Sequence, residues 1–178
     1  MQPIPHLSRI IMVSSLFVRA IALTILLLSP GTVSAHEYTL GTLTIGHPWA
    51  RATPAGAKVA GAFLSVENKS DMPDRLVQVS IEGAKTTEIH QMLMEDGMMK
   101  MRPLAGGLDV PAGTKTELKP GSYHLMLMGL AAPLVEGQKI KGVLTFEKAG
   151  TIEVEFKVEA IGGNAGQAAH QHSDVPQN

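Results

Sequence analysis

From about position 38 to position 159 the chain is a succession of short segments in which apolar and polar residues alternate, punctuated by glycine and proline. Thr151 to Glu159 shows the pattern most cleanly: Ile152, Val154, Phe156 and Val158 fall on one side, and Glu153, Glu155, Lys157 and Glu159 on the other. A period of two predicts a strand with one face in the core and one in water. Ala57 to Asn68 is apolar on both sides, with Val59, Gly61, Phe63 and Ser65 alternating with Ala60, Ala62, Leu64 and Val66, which suits a central strand. Leu76 to Ile81 puts Val77, Val79 and Ile81 on one face. Further strands are predicted at Tyr38–Ile45, Thr86–Met94, Met98–Pro103, Lys115–Lys119, Tyr123–Met128 and Ile140–Phe146. Turns are signalled by Glu95-Asp96-Gly97, Pro111-Ala112-Gly113 and Lys119-Pro120-Gly121. No run carries a convincing helical period. The expected fold is all-β, a sandwich or Greek-key barrel of about eight or nine strands.

The two ends break this pattern. Residues 1–35 read as a secretory leader: Arg9 and Arg19 are the charged side chains, Ala20–Leu28 is apolar, and Pro30-Gly31 precedes the small-residue ending Val33-Ser34-Ala35. The apolar stretch falls short of the roughly 20 residues that span a bilayer. Cleavage after Ala35 would release an exported, soluble, monomeric protein beginning at His36, with no stable membrane insertion. Residues 36–161 then form one domain, and 162–178 a flexible C-terminal tail of Gly, Ala, Gln, Asn and Ser that includes His170 and His172.

The formal net charge is −1 and there is no basic run, which argues against nucleic acid as a partner. The chain has no cysteine. Disulfides, thiolate zinc sites and thioredoxin-like redox chemistry are therefore unavailable, and apolar burial must hold the fold. No nucleophile motif accompanies the histidines and no glycine-rich phosphate loop is present, so a hydrolase is not supported.

What the chain does have is methionine. Of its ten methionines, seven fall between Met92 and Met128, and two histidines in or next to that window occur as His90-Gln91-Met92 and His124-Leu125-Met126. Side chains two apart on a strand share a face, so His90 projects with Met92, Met99 with Met101, and His124 with Met126 and Met128. The Asp96-Gly97 turn could fold Thr86–Met94 and Met98–Pro103 into a hairpin that brings His90 near Met101. For a site built on three strands, Tyr123–Met128 must lie beside them. A methionine stripe is more often core packing than ligation. Histidine is a poor core filler, however, because each buried ring nitrogen needs a partner.

Neutral, polarisable thioether sulfur has little affinity for calcium, magnesium or manganese, and zinc prefers thiolate, imidazole and carboxylate. Thioether with imidazole suits copper(I). A blue-copper electron carrier needs a cysteine thiolate, so that use of a copper-binding sandwich is excluded. Transport or delivery of copper is the expected role, and enzymatic turnover is not expected.

Three stretches extend the reading: Gly46-His47-Pro48-Trp49-Ala50-Arg51-Ala52-Thr53-Pro54; Glu88-Ile89-His90-Gln91-Met92 followed by Met99-Lys100-Met101-Arg102-Pro103; and Leu118-Lys119-Pro120-Gly121-Ser122-Tyr123-His124-Leu125-Met126-Leu127-Met128-Gly129-Leu130. On these the sequence resembles the PCu(A)C family of periplasmic copper chaperones, over most of the chain beyond the leader. The resemblance implies a cupredoxin-like β-sandwich and a copper(I) site formed by His90, Met101, His124 and Met126. It further implies a periplasmic metallochaperone that carries copper to the copper-A centre of cytochrome c oxidase. The partner would be subunit II of that oxidase or another copper-assembly protein. Met92, Met99 and Met128 are close enough in sequence to be mistaken for ligands. His47, beside Trp49, is expected to be a structural corner, and Arg51 could lie beside the copper site.

His36, with its new α-amine, and His170 and His172 in the tail offer nitrogen donors for copper(II). Two other functions compete with delivery: a periplasmic copper buffer or resistance protein, and a copper oxygenase built on the N-terminal histidine.

Overall fold

The computed structural model describes residues 37–161. Residues 1–36 and 162–178, on which the predicted leader, His36, His170 and His172 fall, lie outside the described residues.

The described residues form eleven strands: β1 (Glu37–Leu40), β2 (Leu43–Arg51), β3 (Val59–Asn68), β4 (Asp74–Ile81), β5 (Thr86–Glu95), β6 (Met98–Pro103), β7 (Leu108–Val110), β8 (Lys115–Leu118), β9 (Tyr123–Met128), β10 (Lys139–Phe146) and β11 (Gly150–Glu159). They hydrogen-bond in the order β6-β5-β9-β8-β3-β2-β11-β10-β4-β7, with β9 also paired to β3 and β1 to β2. Most pairings are antiparallel, but β11 runs parallel to β2 and β8 parallel to β9. The fold is a cupredoxin-like sandwich. Ile89, Leu125 and Leu127 from the β5–β9 part of the path meet Val79, Ile81, Leu144, Val154 and Phe156 from the β4–β10–β11 part in one buried cluster. Among the described residues no helix is long and apolar enough to cross a membrane.

The count of about eight or nine strands is low for two reasons. The segment Tyr38–Ile45 is two antiparallel strands, because Gly41 turns the chain at φ +58° and β1 folds back on β2. The three-residue strand β7 is too short to show a period. β2 also continues past Ile45 to Arg51 across a bulge between Gly46 and Trp49, where His47 takes a left-handed φ of +47°. Val77 is a second correction. A register shift where β4 meets β10 buries Leu76 and leaves Val77 exposed, so Val77 does not share a face with Val79. β3 is the central strand expected, bonded to β2, β8 and β9.

Polar groups buried at the β4–β7 end are fully engaged. Asp74 Oδ1 accepts the backbone N–H of Arg75 (2.7 Å) and Lys148 (3.0 Å), and Oδ2 accepts that of Ala149 (2.9 Å). Asn68 donates through Nδ2 to the carbonyls of Met72 and Val110 and accepts through Oδ1 from the Ser70 backbone N–H and hydroxyl. These two side chains pin the loops that close that end of the sandwich.

Candidate metal centre

The site begins with a hairpin. Asp96 and Gly97 both have positive φ, +53° and +75°, the two-residue turn whose twist matches that of the flanking strands. It pairs Glu95 with Met98, Met94 with Met99, Met92 with Met101, and His90 with Pro103. Met101 is thus directly opposite Met92 and diagonal to His90. On its other edge β5 pairs with β9, so His90 faces His124 and Glu88 faces Met126. The three segments needed for one site are adjacent.

Strand parity now places His90, Met92, Met94, Met99, Met101, His124, Met126 and Met128 on one face of β6–β5–β9. Ile89, Leu125 and Leu127 point the other way, into the core. The four residues His90, Met101, His124 and Met126 surround the His90–His124 step: Met126 sits two residues along from His124, and Met101 one pair beyond His90. Diagonal neighbours on a sheet are about 7–8 Å apart at Cα, within reach of a methionine side chain. Met92 and Met128 are half-buried on the same face, and Met99 is exposed nearer the turn.

The imidazoles are less open than a surface site would be. His124 is 7% exposed and the His90 side chain 13%. Their rings meet edge to face with centroids 5.6 Å apart. His90 Nε2 lies 2.8 Å from the Glu88 carboxylate, while its Nδ1 is buried without a hydrogen-bond partner. With the proton on Nε2 facing the carboxylate, Nδ1 presents a bare lone pair. His124 orients the opposite way, with Nδ1 donating to the Ser122 carbonyl at 3.3 Å, which leaves the lone pair on Nε2. Burial, partly offset by the hydrogen bond to Ser122 and reinforced by the nearby His90, holds the His124 imidazole below its ordinary pKa and so keeps it neutral. Two imidazoles, each held through one nitrogen with the other left over, are the arrangement that metal-ligating histidines adopt.

Among the described residues no three His, Asp or Glu side chains gather closely enough to hold a metal ion. Further donors must come from thioethers, and the softness of sulfur then selects the ion. Glu88, which the sequence reading gave no role, is the side chain that holds His90. The signal was present, since it stands two before His90 and shares its face.

His47 is a corner, as expected: its left-handed backbone sits in the β2 bulge, and Nε2 lies 3.4 Å from Glu159. Trp49 stacks on Phe63 at 4.4 Å. The Arg51 guanidinium carbon lies 5.9 Å from the Phe63 ring centroid, and its Nε is buried without a partner. Because Ala50 pairs with Ala62 and Gly61 with Met126, Arg51 falls on the methionine face, two strands from Met126.

A cysteine-free sandwich with histidine and methionine donors converging on one sheet face defines a class, the soft-metal-binding cupredoxin-like domains. The chain belongs to the LpqE-like family, whose model matches residues 43–158. It is 33% identical over 119 residues to "Putative lipoprotein Lxx21020" of Leifsonia xyli subsp. xyli, covering 67% of this chain and 70% of that one. Among solved structures it is similar to the apo PCuAC domain from PmoF1, at 30% identity and a TM-score of 0.60 over 70% of this chain and 99% of that domain. The copper-bound PCuAC domain from PmoF2 matches at 29% identity and a TM-score of 0.60, covering 70% and 98%. The copper(I) form of DR1885 from Deinococcus radiodurans shares the fold, with 24% identity and a TM-score of 0.55 over 74% and 85%.

Proposed function

We propose that the protein is an exported copper(I) metallochaperone whose cargo is held by His90, Met101, His124 and Met126. One observation carries the reading: the buried Nδ1 of His90 has no partner, and it stands beside His124 on a face whose other donors are thioethers. Such an orphan nitrogen costs about 1–3 kcal/mol unless something takes its lone pair. A monovalent soft ion fits, since it needs no anionic ligand, and thioethers bind without losing a proton. The copper-bound PmoF2 domain and copper(I) DR1885, similar in fold, support the choice of ion.

Binding here is transfer rather than turnover. His124 is buried and the His90 side chain 13% exposed while Met101 is 55% exposed, so an acceptor's ligands reach the ion from the methionine side and exchange one at a time. The acceptor we propose is the copper-A centre of cytochrome c oxidase subunit II, in the periplasm. The family's lipoprotein name and the leader-like first 35 residues support export, although the 178 residues contain no cysteine to carry a thioether-linked lipid.

X-ray absorption with one equivalent of copper(I) tests the site. The wild type should give a sulfur-dominated first shell with an imidazole component. The double variant His124→Ala, Met126→Ala should give a weaker imidazole component, supplied by His90 alone, and an unchanged spectrum would mean that the ligands are assigned wrongly. Gene deletion tests the client. Failure of oxidase assembly in low copper indicates delivery, whereas sensitivity to excess copper alone indicates buffering.

A further inference from the structure

The β5–β6 hairpin has two unlike faces. One carries Glu95, which bonds both Arg102 (2.8 Å) and Lys100 (3.2 Å). The other carries Met92, Met94, Met99 and Met101 and no charged side chain between them. Core packing, the usual fate of methionine, does not account for the outer members. Met94 is 65% exposed and Met99 51%, and both stand on a hairpin whose β6 is the last strand of the sheet. Exposed apolar side chains are ordinary when scattered, but these are paired across the strands, Met94 with Met99 and Met92 with Met101.

We infer that Met92, Met94 and Met99 form a second, all-thioether copper(I) site at the tip of the hairpin, next to the His90–His124 site and bridged to it by Met101. Directly opposed residues on antiparallel strands have Cβ atoms about 4.5–5.5 Å apart, and Met92 and Met94 project from one strand on one side. Three sulfurs on flexible stems can therefore close on one ion without movement of the backbone. The donor set is neutral, with no proton to lose, and takes a monovalent soft cation in preference to zinc, calcium or magnesium. Its position gives it a role. A copper(I) ion captured in the open at Met94 and Met99 passes to Met92 and its opposite neighbour Met101, and from there to the imidazoles, by successive ligand exchange. The ion's charge and oxidation state do not change.

This inference rests on copper(I) being the cargo of the histidine site, and the test separates the two. Copper(I) is titrated anaerobically, as its acetonitrile complex, into the full chain and two variants in competition with a chromogenic copper(I) chelator. The wild type should take two equivalents. Met94→Leu with Met99→Leu, isosteric changes at exposed positions that leave the melting curve unchanged, should take one, with the imidazole component of its X-ray absorption intact. His90→Ala with His124→Ala should also take one, now in a sulfur-only shell. A wild type that binds one equivalent, or a Met94→Leu, Met99→Leu variant that keeps two, overturns the hairpin site while leaving the histidine site standing. Loss of the imidazole signal in the wild type would overturn the histidine site, and with it the relay.

Discussion

Two ends of the sandwich treat buried polar groups in opposite ways. Around Asp74, each carboxylate oxygen accepts backbone hydrogen bonds, three in all, and nearby Asn68 uses both its donor and its acceptor sides. Around His90, a buried ring nitrogen faces no donor. Both ends are built on strands with well-packed inner faces, so the difference does not reflect careless packing. Satisfied groups such as Asp74 close loops and stabilise the fold. An unsatisfied one holds a lone pair ready, and on the proposed function the stability it forgoes is recovered when an ion arrives. Polar burial alone does not mark a candidate site; a missing partner beside further donors, as at His90, does.

The comparison can be broken from either side, and the largest effect is expected at the satisfied end. Asp74→Ala leaves the backbone N–H groups of Arg75, Lys148 and Ala149 without their acceptor. Charge-assisted hydrogen bonds of this kind contribute about 1.5–3 kcal/mol each, and partial access of water reduces the total to about 4 kcal/mol. The melting temperature should fall on the order of 10 °C. Copper(I) stoichiometry, measured where the variant is still folded, should not change. A variant that melts normally would mean that the Asp74 network is ornamental.

His90→Ala should do the reverse. Removing a direct ligand weakens copper(I) binding at the histidine site by more than about 100-fold, above the range found for supporting residues. It also removes the orphan nitrogen, so the apo protein should change in stability by less than about 1 kcal/mol. Chelator competition and a thermal melt measure the two quantities. A large loss of stability without loss of copper would show that the His90–His124 step is structural.

Glu88→Gln sharpens the contrast by leaving His90 in place. Its carboxylate lies 2.8 Å from His90 Nε2 and fixes which nitrogen carries the proton. The amide retains the size and a hydrogen bond but not the charge, so the ring keeps its place while becoming a poorer donor. Because Glu88 is half-exposed, the expected weakening is about 10-fold, at the low end for a supporting partner. Unaltered affinity would place the fixing of His90 elsewhere.

These residues were unequally legible from the sequence. β6 and β9 have the predicted bounds, Met98–Pro103 and Tyr123–Met128, because alternation and the Asp96-Gly97 turn are local signals. Shared faces within a strand follow from the same period, and that put His90 with Met92 and His124 with Met126. Which residue stands opposite which is another matter. The pairing of His90 with His124 joins segments more than 30 positions apart, and no local pattern sets that register. Met101 shows the consequence: the hairpin alone places it opposite Met92, not His90. The end of β2 was hidden for a different reason. His47-Pro48 reads as a strand terminator, since proline has no N–H to give to the ladder, yet a bulge absorbs both residues and pairing resumes at Trp49.

The smallest expected effect is the pH dependence that His124 imposes. Burial chiefly lowers the pKa of His124 from its ordinary 6.5. In the unfolded chain this imidazole takes a proton near 6.5, whereas in the fold it does so only at a lower pH. Between those values the unfolded state binds more protons, so the apo protein must lose stability as pH falls from 6.5 through the folded value. Above 6.5 both states are neutral and the contribution is flat. Copper(I) affinity follows the same sign, because a proton on Nε2 occupies the lone pair the ion needs. Its pH dependence should be weak from pH 8 to 6.5 and steepen only as pH nears the lowered folded value of His124. Melting curves of apo wild type and His124→Gln, taken from pH 8 to 5 and subtracted, isolate the effect. A difference that grows in favour of the wild type on acidification would mean that His124 gains a partner when charged, and the contrast with the Asp74 end would then be lost.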